Sequence, residues 1–373
     1  MVRAVLFACA AASCGRVGYQ PLSVEPDAVA ADAAGGDAAA ADAPTDAGLP
    51  GNLVFVTSSQ HLPVELGGLD VADAVCAGRA AAAGLPGTYI AWLSTSAVAA
   101  RDRLGAARGW RRVDGRPVAD TVADLLGGRI FYPIRIDEAG GDAIGSTTMV
   151  TGTFSGGAGG GAWACADWSD PAGNYTSGRA HGTTGVWTGF DIAGCSVPGR
   201  LYCFGVDRAA PVAPTPATGR LAFASAWAPG GGLADADARC QADAAARGHP
   251  GTFRALLAAA GRSAASRFDP GGPPWVRVDG VPLAASAMAL LLESTETALN
   301  VNAAGGYEPD AFVFSGAADP TTAGTAGTTC NDWTDAGAAF TALGHLADSG
   351  PTFFGAVNDT CNVPGARIYC LAE

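Results

Sequence analysis

Cys165-Ala166-Asp167-Trp168-Ser169-Asp170 is written a second time, with small changes, as Cys330-Asn331-Asp332-Trp333-Thr334-Asp335. Working outward from this pair, the register extends in both directions. Upstream, Gly67-Gly68-Leu69 with Asp73 and Cys76 returns as Gly231-Gly232-Leu233 with Asp237 and Cys240, and Pro86-Gly87-Thr88-Tyr89 as Pro250-Gly251-Thr252-Phe253. Trp110 with Arg112, Val113, Asp114 and Gly115 returns as Trp275 with Arg277, Val278, Asp279 and Gly280. Downstream, Cys195 to Gly199 with Tyr202-Cys203 returns as Cys361 to Gly365 with Tyr369-Cys370. The offset between the copies drifts only from 164 (Cys76 to Cys240) to 167 (Cys203 to Cys370), so the chain carries one unit twice.

At 373 residues, with 49% hydrophobic and 15% charged, the chain can fill two cores of ordinary size. The expected organisation is a signal peptide at 1–14, a tether at 15–50, a first domain at 51–207, a Pro-rich linker at 208–218 and a second domain at 219–373. The tether is Ala, Asp, Pro and Gly with almost no large apolar residue, a composition that cannot offset its own ordering entropy. The linker, Ala-Ala-Pro-Val-Ala-Pro-Thr-Pro-Ala-Thr from Ala209, is stiffened by its prolines.

Met1-Val2-Arg3, an apolar run and Ala11-Ala12-Ser13-Cys14 resemble a lipoprotein signal, with Cys14 as the lipidated residue. Leu6-Phe7-Ala8-Cys9 is a competing site, and a plain cleaved signal the other alternative. No further apolar run approaches the roughly 20 residues of a spanning helix, so membrane contact is expected through lipid alone. The expected location is the bacterial cell envelope, at the outer membrane or cell surface.

A net charge of -13 argues against nucleic acid and heparin-like polyanions, which need clustered basic residues. Six of the negative charges, from Glu25 to Asp46, lie in the tether.

Helices are expected from a cap at Asp70 to about Gly84, from Ala234 to Arg247, from Ser94 to Leu104 and from Pro117 to Leu126. Strands are expected at Leu53 to Thr57, Gly185 to Phe190 and Arg200 to Phe204, with glycine-rich loops between. The class is α+β and loop-rich.

Setting aside Cys9 and Cys14, eight cysteines remain, spaced 89, 30 and 8 from Cys76 and 90, 31 and 9 from Cys240. Even numbers at repeated spacings in an exported chain argue for disulfides, and the lack of Cys-x-x-Cys argues against zinc. Four cysteines permit three connectivities, among which spacing does not choose.

The run Ala72 to Cys76, then Ala83 to Ser94, resembles the opening helix and strand of endostatin, and Gly251 to Leu257 does so more closely. The Cys-x-Asp-Trp segments and the Tyr-Cys endings follow in the same order. The chain is similar, over about 150 residues in each copy, to an uncharacterised bacterial lipoprotein family with this C-type-lectin-like fold. The resemblance implies two tandem lectin-like domains. It also implies nested disulfides: Cys76 to Cys203 around Cys165 to Cys195, and Cys240 to Cys370 around Cys330 to Cys361. Calcium-dependent sugar binders of the wider fold use Glu-Pro-Asn and Trp-Asn-Asp triplets; the nearest matches here are Glu308-Pro309-Asp310, absent from the first copy, and Trp187-Thr188-Gly189. Glu308 and Asp310 are therefore the calcium candidates, and no other cofactor is expected.

The Asp-Trp-Ser/Thr-Asp unit is the most distinctive polar feature common to both copies. Asp167, Trp168, Asp170, Asp332, Trp333 and Asp335, with Trp187, are the candidate binding residues, since an indole offers a flat face and carboxylates fix orientation. The alternative is that the tryptophans pack on the inner disulfides while the Asp side chains satisfy loop amides. His181 and His345 fall in nearly equivalent places, with no recognisable nucleophile and base beside them. The expected function is non-catalytic binding of a glycan or protein partner, with duplication supplying avidity. A purely structural envelope protein and an enzyme of unfamiliar type are the rivals.

Overall fold

A computed structural model describes residues 51–145, 148–337 and 339–373. The expected signal with Cys14 and the tether lie outside the described residues. The described residues form one compact unit, and "half" below means 51–207 or 219–373.

The first half contributes β1 (Asn52–Val56), β2 (Tyr89–Ala91), β3 (Trp110–Arg111), β4 (Pro117–Ala119), β5 (Met149–Val150), β6 (Asn174–Gly178), β7 (Asp191–Gly194) and β8 (Tyr202–Gly205). The second contributes β9 (Arg220–Ala226), β10 (Phe253–Ala255), β11 (Trp275–Arg277), β12 (Phe312–Phe314), β13 (Phe340–His345), β14 (Val357–Thr360) and β15 (Arg367–Ala372). The sheets run β2-β8-β1-β3-β4 and β11-β9-β15-β12-β13-β14 with β10 on β15; β5-β6-β7 forms a third. The joint that merges the second half's strands into one sheet, Val313 opposite Arg367, has its counterpart in the first half as the single bridge Met149 to Arg200.

β1 reads Leu53-Val54-Phe55-Val56 after Asn52 and is buried throughout, because both faces of its sheet are covered. The helix Leu69–Ala82 lies against one face through Ala72, Cys76 and Ala80, and its counterpart Leu233–Ala246 through Ala236, Cys240 and Ala244. Spacing of four puts these residues on one stripe, and their small side chains let the helix approach closely. Cys76 and Cys240 then reach β8 and β15. One polar anchor sets the height of each helix: Asp73 accepts the Ala91 N–H at 2.9 Å and pairs with Arg103 at 2.5 Å, as Asp237 does with Ala255 and Arg267. On the opposite face of the first sheet, Trp92, Trp110 and Trp187 close around Phe204.

All four disulfides have the nested pairing: Cys76–Cys203, Cys165–Cys195, Cys240–Cys370 and Cys330–Cys361. The architecture is mixed α+β, with much of each half in loops.

Several local expectations are corrected. Gly68, not Asp70, stands at the start of the first helix, and Asp70 lies inside its first turn. Ser94 to Leu104 is not a helix; only Ala100–Leu104 forms a 3-10 turn, because the Ser94 hydroxyl is buried and engaged with Thr153 and the Ala100 N–H. Pro117–Ala119 is strand, and the helix is the short Val122–Leu126, opened by a Thr121–Asp124 capping box. Gly185 to Phe190 forms turns rather than a strand, with the pairing moved to β6 and β7.

Candidate binding cleft

The Cys-x-Asp-Trp segments hold an unusual backbone. Cys165, Ala166, Asp167 and Trp168 have φ of 49°, 47°, 55° and 70°, and Cys330 to Trp333 repeat this at 50°, 53°, 53° and 66°. Each is one turn of left-handed helix built from non-glycine residues, at about 1–2 kcal/mol of strain per residue. The inner disulfide starts the turn and a buried indole ends it. Trp168 and Trp333 are both 0% exposed, donating Nε1–H to the carbonyls of Ser94 (2.9 Å) and Ala258 (2.8 Å). Gly152 and Gly316, both at positive φ, underlie these rings so closely that an added Cβ would fall within 2.6 and 2.8 Å of them. Trp187 is 1% exposed.

These three rings are thus packed in the core, their faces covered by the chain itself. The carboxylates around them stitch loops. Asp167 accepts both the N–H (2.6 Å) and the hydroxyl (2.7 Å) of Ser96, Asp332 the N–H of Ala260 (2.7 Å), Asp170 that of Ala172 (2.9 Å) and Asp335 that of Gly337 (2.7 Å).

The calcium candidates do not converge. Glu308 is occupied by Arg367 at 2.9 Å and by the Asn302 amide at 2.7 Å, while Asp310 faces the Ala347 N–H at 3.3 Å and His345 at 3.7 Å. Among the described residues no group of three His, Cys, Asp or Glu side chains could hold a metal ion. The two histidines are not equivalent either. β6 opposes Asn174 to Gly194 and β13 opposes Phe340 to Thr360, so Arg179 is the counterpart of His345, and His181 lies two residues further on.

A cavity of about 880 Å³ opens between the halves, within the range of small-ligand sites. One wall is the segment from Asp120 to Phe131, another the linker at Pro211 to Pro214, and the third Asp279 with residues 305–307. The linker is fixed rather than free. Val212 is buried and donates its N–H to Asp120 at 2.9 Å, and Ala217 donates to the Gly280 carbonyl at 2.9 Å.

Each carboxylate on this cleft is held by its own partner. Asp120 is bonded by Arg108 and by Val212 N–H; burial works against ionisation, but these donors outweigh it and hold the carboxyl below its usual range. Asp279 is likewise opposed by burial and more than compensated by Arg277 and the Tyr307 hydroxyl, 2.7 Å away. Asp124 spends Oδ2 on the N–H and hydroxyl of Thr121, and its Oδ1 lies 3.8 Å from the Arg129 guanidinium. Arg129 stands over the Phe131 ring at 5.7 Å.

Residues 308–310 line a further depression of about 410 Å³ and residues 309–310 one of about 440 Å³, so the turn 305–310 borders all three. Its counterpart in the first half, 140–145, carries Asp142 where Tyr307 stands. Asp120, Asp124, Arg129 and Phe131 correspond to Ala285, Ala289, Ser294 and Glu296. The cleft therefore consists largely of residues that the duplication does not repeat. The signal that could have found it is divergence between copies, whereas repeated polar clusters lead to packing. No family model matches the chain, and no curated protein matches it.

Proposed function

We propose that this chain is an exported, non-catalytic binding protein whose two lectin-like halves act together and take a polyhydroxylated ligand, a glycan, in the cleft between them. The observation that carries the reading is the cleft of about 880 Å³ in which Asp120, Asp124 and Asp279 are oriented by internal donors beside Tyr307, Phe131 and Arg129. Planar acceptors in fixed positions suit sugar hydroxyls, and the partly exposed Tyr307 ring suits the apolar face of a sugar ring. Asp120 and Asp279 are kept ionised by their partners, which favours accepting hydrogen bonds over exchanging protons. That is a binding chemistry.

Four disulfides indicate an oxidising, non-cytoplasmic compartment. No described helix is long and apolar enough to cross a membrane. We read the attachment as a lipid on Cys14, at the outer membrane or cell surface, with the Asp-rich segment as spacer.

The duplication does not work by avidity between free modules in this reading, because the halves share buried contacts. A glycan array probed with the purified chain, followed by titration calorimetry on the hits, is the test. Arg129→Ala and Tyr307→Ala are expected to weaken binding about tenfold or more, roughly 1.4 kcal/mol, with Arg129→Ala leaving the melting temperature unchanged. Silence across the array, or hits indifferent to both substitutions, would remove the proposal.

A further inference from the structure

The joint between the halves contains a buried histidine without a hydrogen bond. His181 is 3% exposed and neither ring nitrogen has a partner. Its Nε2 lies 3.8 Å from Oδ2 of Asp348, a residue of the other half that is 0% exposed. Arg179, from the histidine's own half, reaches the same Oδ2 at 2.5 Å and balances the charge of Asp348, whose Oδ1 is buried without a hydrogen bond. Arg135, also nearly buried, bonds across to the Thr295 carbonyl (2.8 Å) and the Ser349 hydroxyl (3.2 Å), with Asp142 behind it at 3.2 Å.

The backbone on either side of His181 is what ties the halves together. Thr183 donates its N–H (2.7 Å) and hydroxyl (2.8 Å) to the Ala347 carbonyl, and Ser349 donates its N–H and hydroxyl to the His181 carbonyl, both at 3.1 Å. Gly182 opposes Asp348 in a short antiparallel bridge.

We propose that this joint is a proton-sensitive clamp, closed while His181 is neutral and loosened when it is protonated. A charged imidazole here meets a carboxylate whose charge Arg179 has already balanced, in a site without water access and near two guanidinium groups. It gains solvation only if the two backbone segments part. The direction of the titration agrees: burial, the largest cause, pushes the His181 pKa down; Asp348, next in size, and the nearby Ile144 backbone pull it up, Arg179 and Arg135 push it down again, and the net shift is downward. A histidine lowered in the fold leaves the closed joint fully stable above its ordinary value of 6.5 and weakens it as pH falls below that.

The consequence for ligand rests on the reading of the clefts given above. Thr184, Gly185, Val186 and Gly189 form one wall of the cavity of about 410 Å³ and residues 308–310 another, so parting the joint at 182–183 moves one wall from the other. The same turn, through residues 305–307, walls the cleft of about 880 Å³, so acid would loosen that wall and release what the cleft holds. The clamp itself needs no ligand to be tested.

Hydrogen exchange on the intact chain without ligand, between about pH 8 and about pH 5 and corrected for intrinsic rates, reads it directly. Peptides containing the Thr183 and Ser349 amides are expected to lose protection at least about threefold on acidification, while β1 and β9 stay protected. His181→Gln is expected to flatten that response. Should the variant fail to fold, an NMR titration of the four histidines decides. Midpoints that put His181 at or above its ordinary range overturn the proposal, as do unchanged protection at the joint or a pH response that survives the substitution.

Discussion

Glu293 occupies a left-handed backbone position, φ 58°, that its counterpart Gly128 fills at 77° without a side chain to accommodate. Its Oε1 is buried without a hydrogen bond. Burial, helped by the nearby Asp319 and only partly offset by the Phe354 N–H, pushes its carboxyl up to about 7. The fold therefore favours the protonated acid. Stability from this group is fully present below the ordinary value of 4.5 and is lost as pH rises through about 7. Glu293→Gln, which keeps the shape and discards the charge, should be the more stable protein above neutrality. The gain is on the order of 1 kcal/mol once solvent screening of a half-exposed group is discounted. Thermal melts at about pH 8 and about pH 4.5 check it: the gap should open at the higher pH and close at the lower. An equal gap at both would mean that the carboxylate is ionised in the fold like any other.

The left-handed turns put a different kind of cost into a whole element. Four non-glycine residues at positive φ amount to about 4–8 kcal/mol per turn, withstood because the inner disulfide, the buried indole and the Asp167 bonds to Ser96 all fix the same geometry. Ala166, exposed and at φ 47°, bears that cost without burying its side chain. Ala166→Gly, ordinarily a destabilising change, should here raise the free energy of unfolding by about 1 kcal/mol, read from denaturant melts; a loss would mean that the turn is not left-handed. The sequence reported that this unit mattered, since it is repeated, but not why, because backbone handedness has no signature when the residues are Ala, Asn, Asp and Trp. The two long helices were legible from the stop at Gly84 and from the repeat that carries the first onto the second. Ser94 to Leu104 was not, because its course is set by a buried hydroxyl network with Thr153, distant in sequence.

At the scale of the molecule, duplication made the cores readable and hid the cleft. Matching copies exposed the cysteines and tryptophans that pack each half, yet Asp120, Arg129 and Tyr307 come together only because the halves dock, and nothing in local pattern encodes a meeting between positions so far apart. That docking is polar and buried. Arg135, 7% exposed, is a charged donor to it, and Phe131, Tyr132 and Val281 supply a small apolar contact beside it. Removing the Arg135 side chain leaves the Thr295 carbonyl and the Ser349 hydroxyl short of a charged donor, at a cost of about 2–3 kcal/mol that falls on the joint and on neither core. Two bodies coupled by such a joint unfold together only while the coupling exceeds the difference in their own stabilities. Calorimetry should accordingly show one transition for the intact chain and two, or one with a van't Hoff enthalpy well below the calorimetric value, for Arg135→Ala. If the unaltered chain already melted in two separate steps, the halves would be independent modules, and a ligand site assembled from both would have no rigid frame to stand on.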